Sequence, residues 1–185
     1  MAKVMICLAE NFEEVEGLMV VDLLRRAEID IYMISITGNV EVTGSHNITV
    51  KADMLFEDAD FDGADMIVLP GGMPGTRNLQ AHKGLAEKIQ QFHREGKMLG
   101  AICAAPLVLG CNHVLKGKKA CCYPGFEEEL LGAEITYQPV TADGNVITSR
   151  GLGTALEFGC EIIAHFQGRE KAEEMKEKVV YHYSK

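Results

Sequence analysis

The chain has 185 residues, 47% hydrophobic and 24% charged, with a formal net charge of −9. That length supports one well-packed domain spanning residues 1–185. The acidic balance argues against nucleic acid as a partner, because phosphate backbones need a basic face. No run approaches the roughly 18 uninterrupted apolar residues of a membrane span. The first apolar run, Val4 to Leu8, meets Glu10, Glu13 and Glu14, so neither a signal peptide nor a membrane association is expected. Cys7, Cys103, Cys111, Cys121, Cys122 and Cys160 show no disulfide-scaffold spacing and no C-x-x-C, which points to a reducing, cytoplasmic compartment.

In chain order, Val4–Leu8 reads as a buried strand. Glu13 to Ala27, with acids in its first turn and apolar residues at Val15, Leu18, Met19, Val21, Leu23 and Leu24, reads as an amphipathic helix. Ile29–Ile36 is β-branched and predicts a second strand. Val40–Val42 and Ile48–Val50, flanked by turn clusters, predict a hairpin. Met66–Leu69 predicts a third strand, ending on Pro70-Gly71-Gly72. One helix is predicted from Leu79 to Arg94, closed by Gly96, and then a strand over Met98–Ile102. Lys119–Tyr123 predicts a short strand; Glu134–Val140 and Asn145–Thr148 bracket the turn Ala142-Asp143-Gly144. Thr154–Phe166 predicts an apolar helix and Arg169–Val180 a polar one. Strands alternating with helices mean an α/β fold with a mostly parallel sheet, helices on both faces and the hairpins added at its edge. Glu127-Glu128-Glu129 reads as a solvated helix face.

The most informative stretch is Lys97 to Leu109, where a strand stops on Cys103 and turns into a helix. Such a turn lifts its pivot side chain above the carboxyl edge of a parallel sheet, where open α/β folds place their sites. It also aims the thiol at a helix N-terminus, which should lower its pKa below the usual value of roughly 8.5. Cys103 is therefore a candidate nucleophile; the competing reading is a small buried hydrophobe. Two further strand ends should reach the same edge. The turn Ala9 to Glu16 can point a carboxylate inward, and Pro70-Gly71-Gly72-Met73-Pro74-Gly75 can offer backbone N–H donors, unless it is only a tight turn. The N–H of Ala104, free at the helix start, is a further donor.

"AICAAP" after an apolar strand, "VLPGG" with a glycine soon after, "EEVEG…VDLLRRA" and "TSRGLGTALEFG" recur in order over almost the whole chain. This set resembles the ThiJ/PfpI superfamily, in the branch of the human parkinsonism-associated protein deglycase and its bacterial relatives. The resemblance implies a flavodoxin-like three-layer sandwich and a homodimer formed through the first helix. It implies that Cys103 is the reactive, easily oxidised cysteine and Glu16 the protonated glutamate on its sulfur. Gly71, Gly72, Ala104 and Tyr123 would hold an oxyanion or substrate, and Arg26 and His46 would reach across a dimer. It departs from the family at Tyr123, where much of the branch has His before Pro, at Ala104, where protease-like members have His, and at His46, which replaces another basic residue.

The implied activity is cysteine-dependent chemistry on small reactive carbonyls or glycated thiols and amines, of glyoxalase or deglycase type. The alternative is a redox-sensing or chaperone-like protein whose Cys103 oxidises to a sulfinate without significant turnover. No cofactor is expected: Gly151-Leu152-Gly153 lacks the third glycine of a dinucleotide fingerprint, and Arg150 reads as an ion-pair partner. His46, His82, His93, His113, His165 and His182 show no metal-ligand spacing, so no metal is expected. Cys121-Cys122 reads as core packing on a strand.

Overall fold

A computed structural model describes residues 2–181, so His182 lies outside the described residues. In chain order the elements are β1 (Lys3–Leu8), α1 (Glu14–Arg26), β2 (Asp30–Ser35), β3 (Glu41–Thr43), β4 (Thr49–Lys51), β5 (Met54–Leu55), β6 (Met66–Leu69), α2 (Gly75–Ala81), α3 (Lys83–Glu95) and β7 (Met98–Ile102). There follow α4 (Pro106–Cys111), β8 (Lys119–Ala120), β9 (Glu134–Ile135), β10 (Val140–Asp143), β11 (Val146–Ser149), α5 (Ala155–Gln167) and α6 (Arg169–Lys178). The main sheet runs β10-β11-β7-β6-β1-β2-β5. Every pairing in it is parallel except β10 with β11.

Alternation along β1 explains the layers. Val4, Ile6 and Leu8 face a core shared with Val20 and Leu24 of α1 and Phe158 and Ile162 of α5. Met5, Cys7 and Ala9 face the opposite core, with Leu85, Ile89 and Phe92 of α3 and Leu107 of α4. Successive strand residues point to opposite faces, and a strand covered on both must be apolar throughout. The result is a mostly parallel sheet between helical layers, the flavodoxin-like α/β sandwich. The chain leaves β1 for β2 and β5 on one side, then returns to β6 on the other. The switch point therefore lies between β1 and β6, where such sheets open a crevice at their carboxyl edge.

Five local predictions need correction. The helix expected over 79–94 is two helices. His82 is extended and its Nδ1 accepts the N–H of Leu85 at 3.0 Å, capping α3 and interrupting the helix. The strand expected over 134–140 stops at Ile135, pairing with β8, and resumes at Val140 against β11; Pro139 between them cannot donate to a ladder. The β3–β4 hairpin forms its own two-stranded sheet and does not extend the main edge. Glu127–Glu129 is a 3₁₀ turn rather than a solvated helix face, and Glu129 makes a forked ion pair with Arg77 at 2.6 Å. The strand expected over 119–123 stops at Ala120, so Cys121 and Cys122 are buried just past it rather than on it, and the Cys121 N–H donates to Thr148 Oγ1 at 2.9 Å instead of to a ladder.

Candidate active site

Three strand ends converge at the switch point: the β1–α1 turn, the loop after β6, and the residue after β7. Cys103, the first residue beyond β7, has φ +63°, a left-handed conformation that β-carbons disfavour. Two hydrogen bonds hold it there. Its N–H donates to the Ser149 carbonyl at 3.0 Å, and its carbonyl accepts the Tyr123 N–H at 2.7 Å. Such strain costs on the order of 1–3 kcal/mol and persists only where the surroundings impose it. It turns the sulfur toward the N–H groups of Ala104 and Gly72, both of which donate to it.

Glu16, in the first turn of α1, is 1% exposed. Its carboxyl is hydrogen-bonded to the Cys103 thiol, and its Oε2 accepts the Gly71 N–H at 2.9 Å. Gly71 thus positions Glu16, and its N–H is not free for the oxyanion role expected of it. It must be glycine: a β-carbon there would lie 2.5 Å from Cys103 Cβ and 2.6 Å from Glu16 Oε2. Gly72 has φ +93°, and a β-carbon on it would meet the Glu13 backbone nitrogen at 2.4 Å. The Glu13 N–H donates to the Gly71 carbonyl at 2.8 Å, so loop and helix start are laced together.

The electrostatics set burial and Glu16 against the helix start. Burial raises Glu16 to about 7, and the nearby Glu13 charge adds to this against the hydrogen bonds from Cys103 and Gly71. The Cys103 thiol is not acidified: burial first, then the Glu16 charge and hydrogen bond, push it up to about 12. The Ala104 and Gly72 N–H groups pull the other way. The pair therefore behaves as one unit that shares a proton. With the proton on sulfur, the Gly71 N–H steadies a carboxylate; with the proton on Glu16, two N–H groups steady a thiolate. The helix start alone does not ionise the thiol, because burial opposes it.

Tyr123 stands at the rim with its ring half exposed. That ring lies 3.3 Å from where a Gly151 β-carbon would be, a position itself 4.0 Å from Glu16 Oε1. Arg26 is not near this site in the same protomer. It pairs with Asp22 at 2.6 Å at the far end of α1, ten residues beyond Glu16. His46, on the β3–β4 loop, bonds Glu14 of its own chain at 2.9 Å. Arg150 makes no ion pair among the described residues; its guanidinium lies 5.9 Å from the centre of the Tyr137 ring.

The sequence reading missed the Ser149 carbonyl and Gly151, which the β7–β11 register brings beside Cys103. It also missed a second cluster. Donor atoms of Glu13, Glu14 and His46 lie within 4.8 Å of one another, although the histidines show no ligand spacing in the sequence.

Residues 2–165 match the DJ-1/PfpI family. The chain belongs to that family. Among curated relatives, protein DJ-1 homolog B of Arabidopsis thaliana is 37% identical over 180 residues, covering 96% of this chain and 41% of that protein. The chain thus spans about two-fifths of that plant relative. A deglycase of Pyrococcus abyssi is 31% identical over 150 residues, 80% of this chain and 89% of that one. Among solved structures, oxidized Toxoplasma gondii DJ-1 superposes with a TM-score of 0.95 at 30% identity, covering 99% of this chain and 100% of the other. Among the described residues, no helix is long and apolar enough to cross a membrane.

Proposed function

We propose that this DJ-1/PfpI protein acts on reactive carbonyls, in glyoxalase or protein-deglycase fashion, on methylglyoxal and its adducts with thiols and amines. The observation that carries this reading is the buried Glu16 carboxyl bonded to the partly exposed Cys103 thiol, beneath two backbone N–H donors. Cys103 Sγ adds to the aldehyde carbon. The S–C bond forms and the C=O electron pair moves to oxygen, while the thiol proton passes to the Glu16 carboxylate and on to that oxygen. Glu16 then removes the C1 proton of the hemithioacetal and returns it at C2 as the hydroxyl proton crosses to the C2 oxygen. The aldehyde carbon is oxidised as its ketone neighbour is reduced, giving a thioester. Water cleaves the thioester to a hydroxy acid and the free thiol. Gly72 and Ala104 donate to the developing charge. Tyr123 lines the rim beside Gly151. The P. abyssi relative, named a deglycase, supports this reading.

A homodimer completes the proposal. Val15, Leu18 and Ile48 are exposed, and the Ile48 N–H reaches Glu14, the residue before Val15, at 3.4 Å. A second copy covering this face would bring its Arg26 and His46 toward the neighbouring site.

The T. gondii relative, solved in its oxidized form, favours a second reading. The same three donors around Cys103 Sγ would hold a sulfinate, making the site a redox sensor. Methylglyoxal turnover by wild type and Cys103→Ser separates the two. Turnover lost in Cys103→Ser supports the enzyme. Equal rates, with peroxide adding two oxygens at Cys103 by peptide mass mapping, leave the sensor.

A further inference from the structure

The β3–β4 loop folds back onto the start of α1 and closes a second cluster of ligating groups beside the thiol site. We propose that Glu13, Glu14, Ser45 and His46 bind a first-row divalent cation of the zinc class. The donor atoms are gathered by hydrogen bonds that a metal ion could replace. His46 Nδ1 lies 2.9 Å from Glu14 Oε2 and 3.6 Å from Glu13 Oε2. Ser45 Oγ lies 3.1 Å from His46 Nδ1 and 3.4 Å from each of the same two carboxylate oxygens. A tetrahedral zinc with bonds of ~2.0–2.1 Å needs ligand atoms about 3.3 Å apart. These five separations bracket that edge length, so one ion at their centre needs only small adjustments.

Two further observations point to a cation. Glu14 is 2% exposed and the Glu13 side chain 14% exposed, and no Lys or Arg ion pair reaches either carboxylate among the described residues. One exposed imidazole therefore faces two largely covered carboxylates, and even when protonated it leaves a net negative charge. Covered charges are normally paired or bound to metal. The second observation is that Glu14 is oriented from behind. Its Oε1 accepts the N–H groups of His46 at 2.7 Å and Ile48 at 3.4 Å, which leaves Oε2 turned into the cluster. Gly44 makes the room: a β-carbon there would lie 2.2 Å from the Glu14 carboxyl carbon. Metal-ligating carboxylates are typically oriented in this way by outer hydrogen bonds. Imidazole and carboxylate together suit zinc, cobalt, nickel or copper rather than the all-oxygen cations.

The cluster adjoins the carbonyl site, since the Glu13 charge is felt by Glu16, but the metal binding is tested without reference to turnover. Its test is calorimetric titration of the full chain with Zn²⁺ at neutral pH, in wild type, Cys103→Ser, His46→Gln and Glu13→Gln. One ion per chain is expected in wild type and in Cys103→Ser, with affinity reduced at least about 10-fold in His46→Gln and Glu13→Gln. His46→Gln keeps an amide N–H to donate to Glu14 but removes its charged partner, so the thermal transition of each variant is recorded in the same samples to separate lost ligation from lost fold. Co²⁺ gives a second readout: tetrahedral visible bands without the intense thiolate-to-cobalt band. Absence of binding in wild type overturns the proposal. So does binding that survives in His46→Gln but is lost in Cys103→Ser, or a thiolate band with Co²⁺, because either places the metal on the thiol.

Discussion

Replacing Glu16 by Gln should stabilise the protein above neutral pH and leave it unchanged in acid. The amide is isosteric, so its oxygen can still accept the Gly71 N–H and its NH₂ can donate to Cys103 Sγ. What it lacks is a charge to bury. Glu16 is raised from the ordinary 4.5 to about 7 in the folded chain. Below pH 4.5 both states carry the proton and the substitution is neutral. Between 4.5 and 7 the unfolded chain releases the proton while the folded chain keeps it, so wild-type stability falls as pH rises. Above 7 the loss is complete and constant. At about 1.4 kcal/mol per pH unit, it amounts to about 3 kcal/mol. For a chain of 185 residues that corresponds to a Tm gain of about 6–12 °C for Glu16→Gln at pH 8. Thermal or urea unfolding of both proteins from pH 4 to pH 8.5 measures it. A stability difference that does not change over that range would refute the buried, proton-holding carboxyl.

The same pair sets the pH profile of turnover. Glu16 must be a carboxylate to take the thiol proton, so kcat/KM for methylglyoxal should rise with pH through about 7 and lose that limb in Glu16→Gln, with a rate deficit of about 10²–10⁴. An unchanged profile in the variant would remove Glu16 as the base. Sedimentation should show a dimer for wild type at micromolar concentration and a monomer for Leu18→Glu, which puts a charge into the Val15–Leu18–Ile48 face. A wild-type monomer would count against that interface.

The elements that were legible in the sequence are those whose pattern is local. β1, β6 and β7 are short apolar runs, and α1, α5 and α6 carry helical periodicity, so each was placed to within a residue or two of its ends. The break at His82 was not visible, because it depends on an imidazole turning back to cap a helix. Nor was the early end of β9, whose extent depends on which neighbour it finds. Cys103 was legible because a strand that ends on a cysteine and re-enters a helix leaves a sequence signature, and Glu16 because the motif around it resembles a family.

Composition and pattern thus determined an acidic α/β chain with a thiol at a strand-to-helix elbow. The tertiary structure decided what that thiol experiences. Burial and the Glu16 charge hold it up to about 12, against two N–H donors whose pull alone had suggested the opposite. It also decided that the Gly71 N–H serves Glu16, and that His46, more than thirty residues along the chain from Glu13 and Glu14, closes on both. The physical reason is common to all three. Desolvation and contacts between distant segments depend on how the layers pack, and residue spacing along the chain does not encode that packing locally.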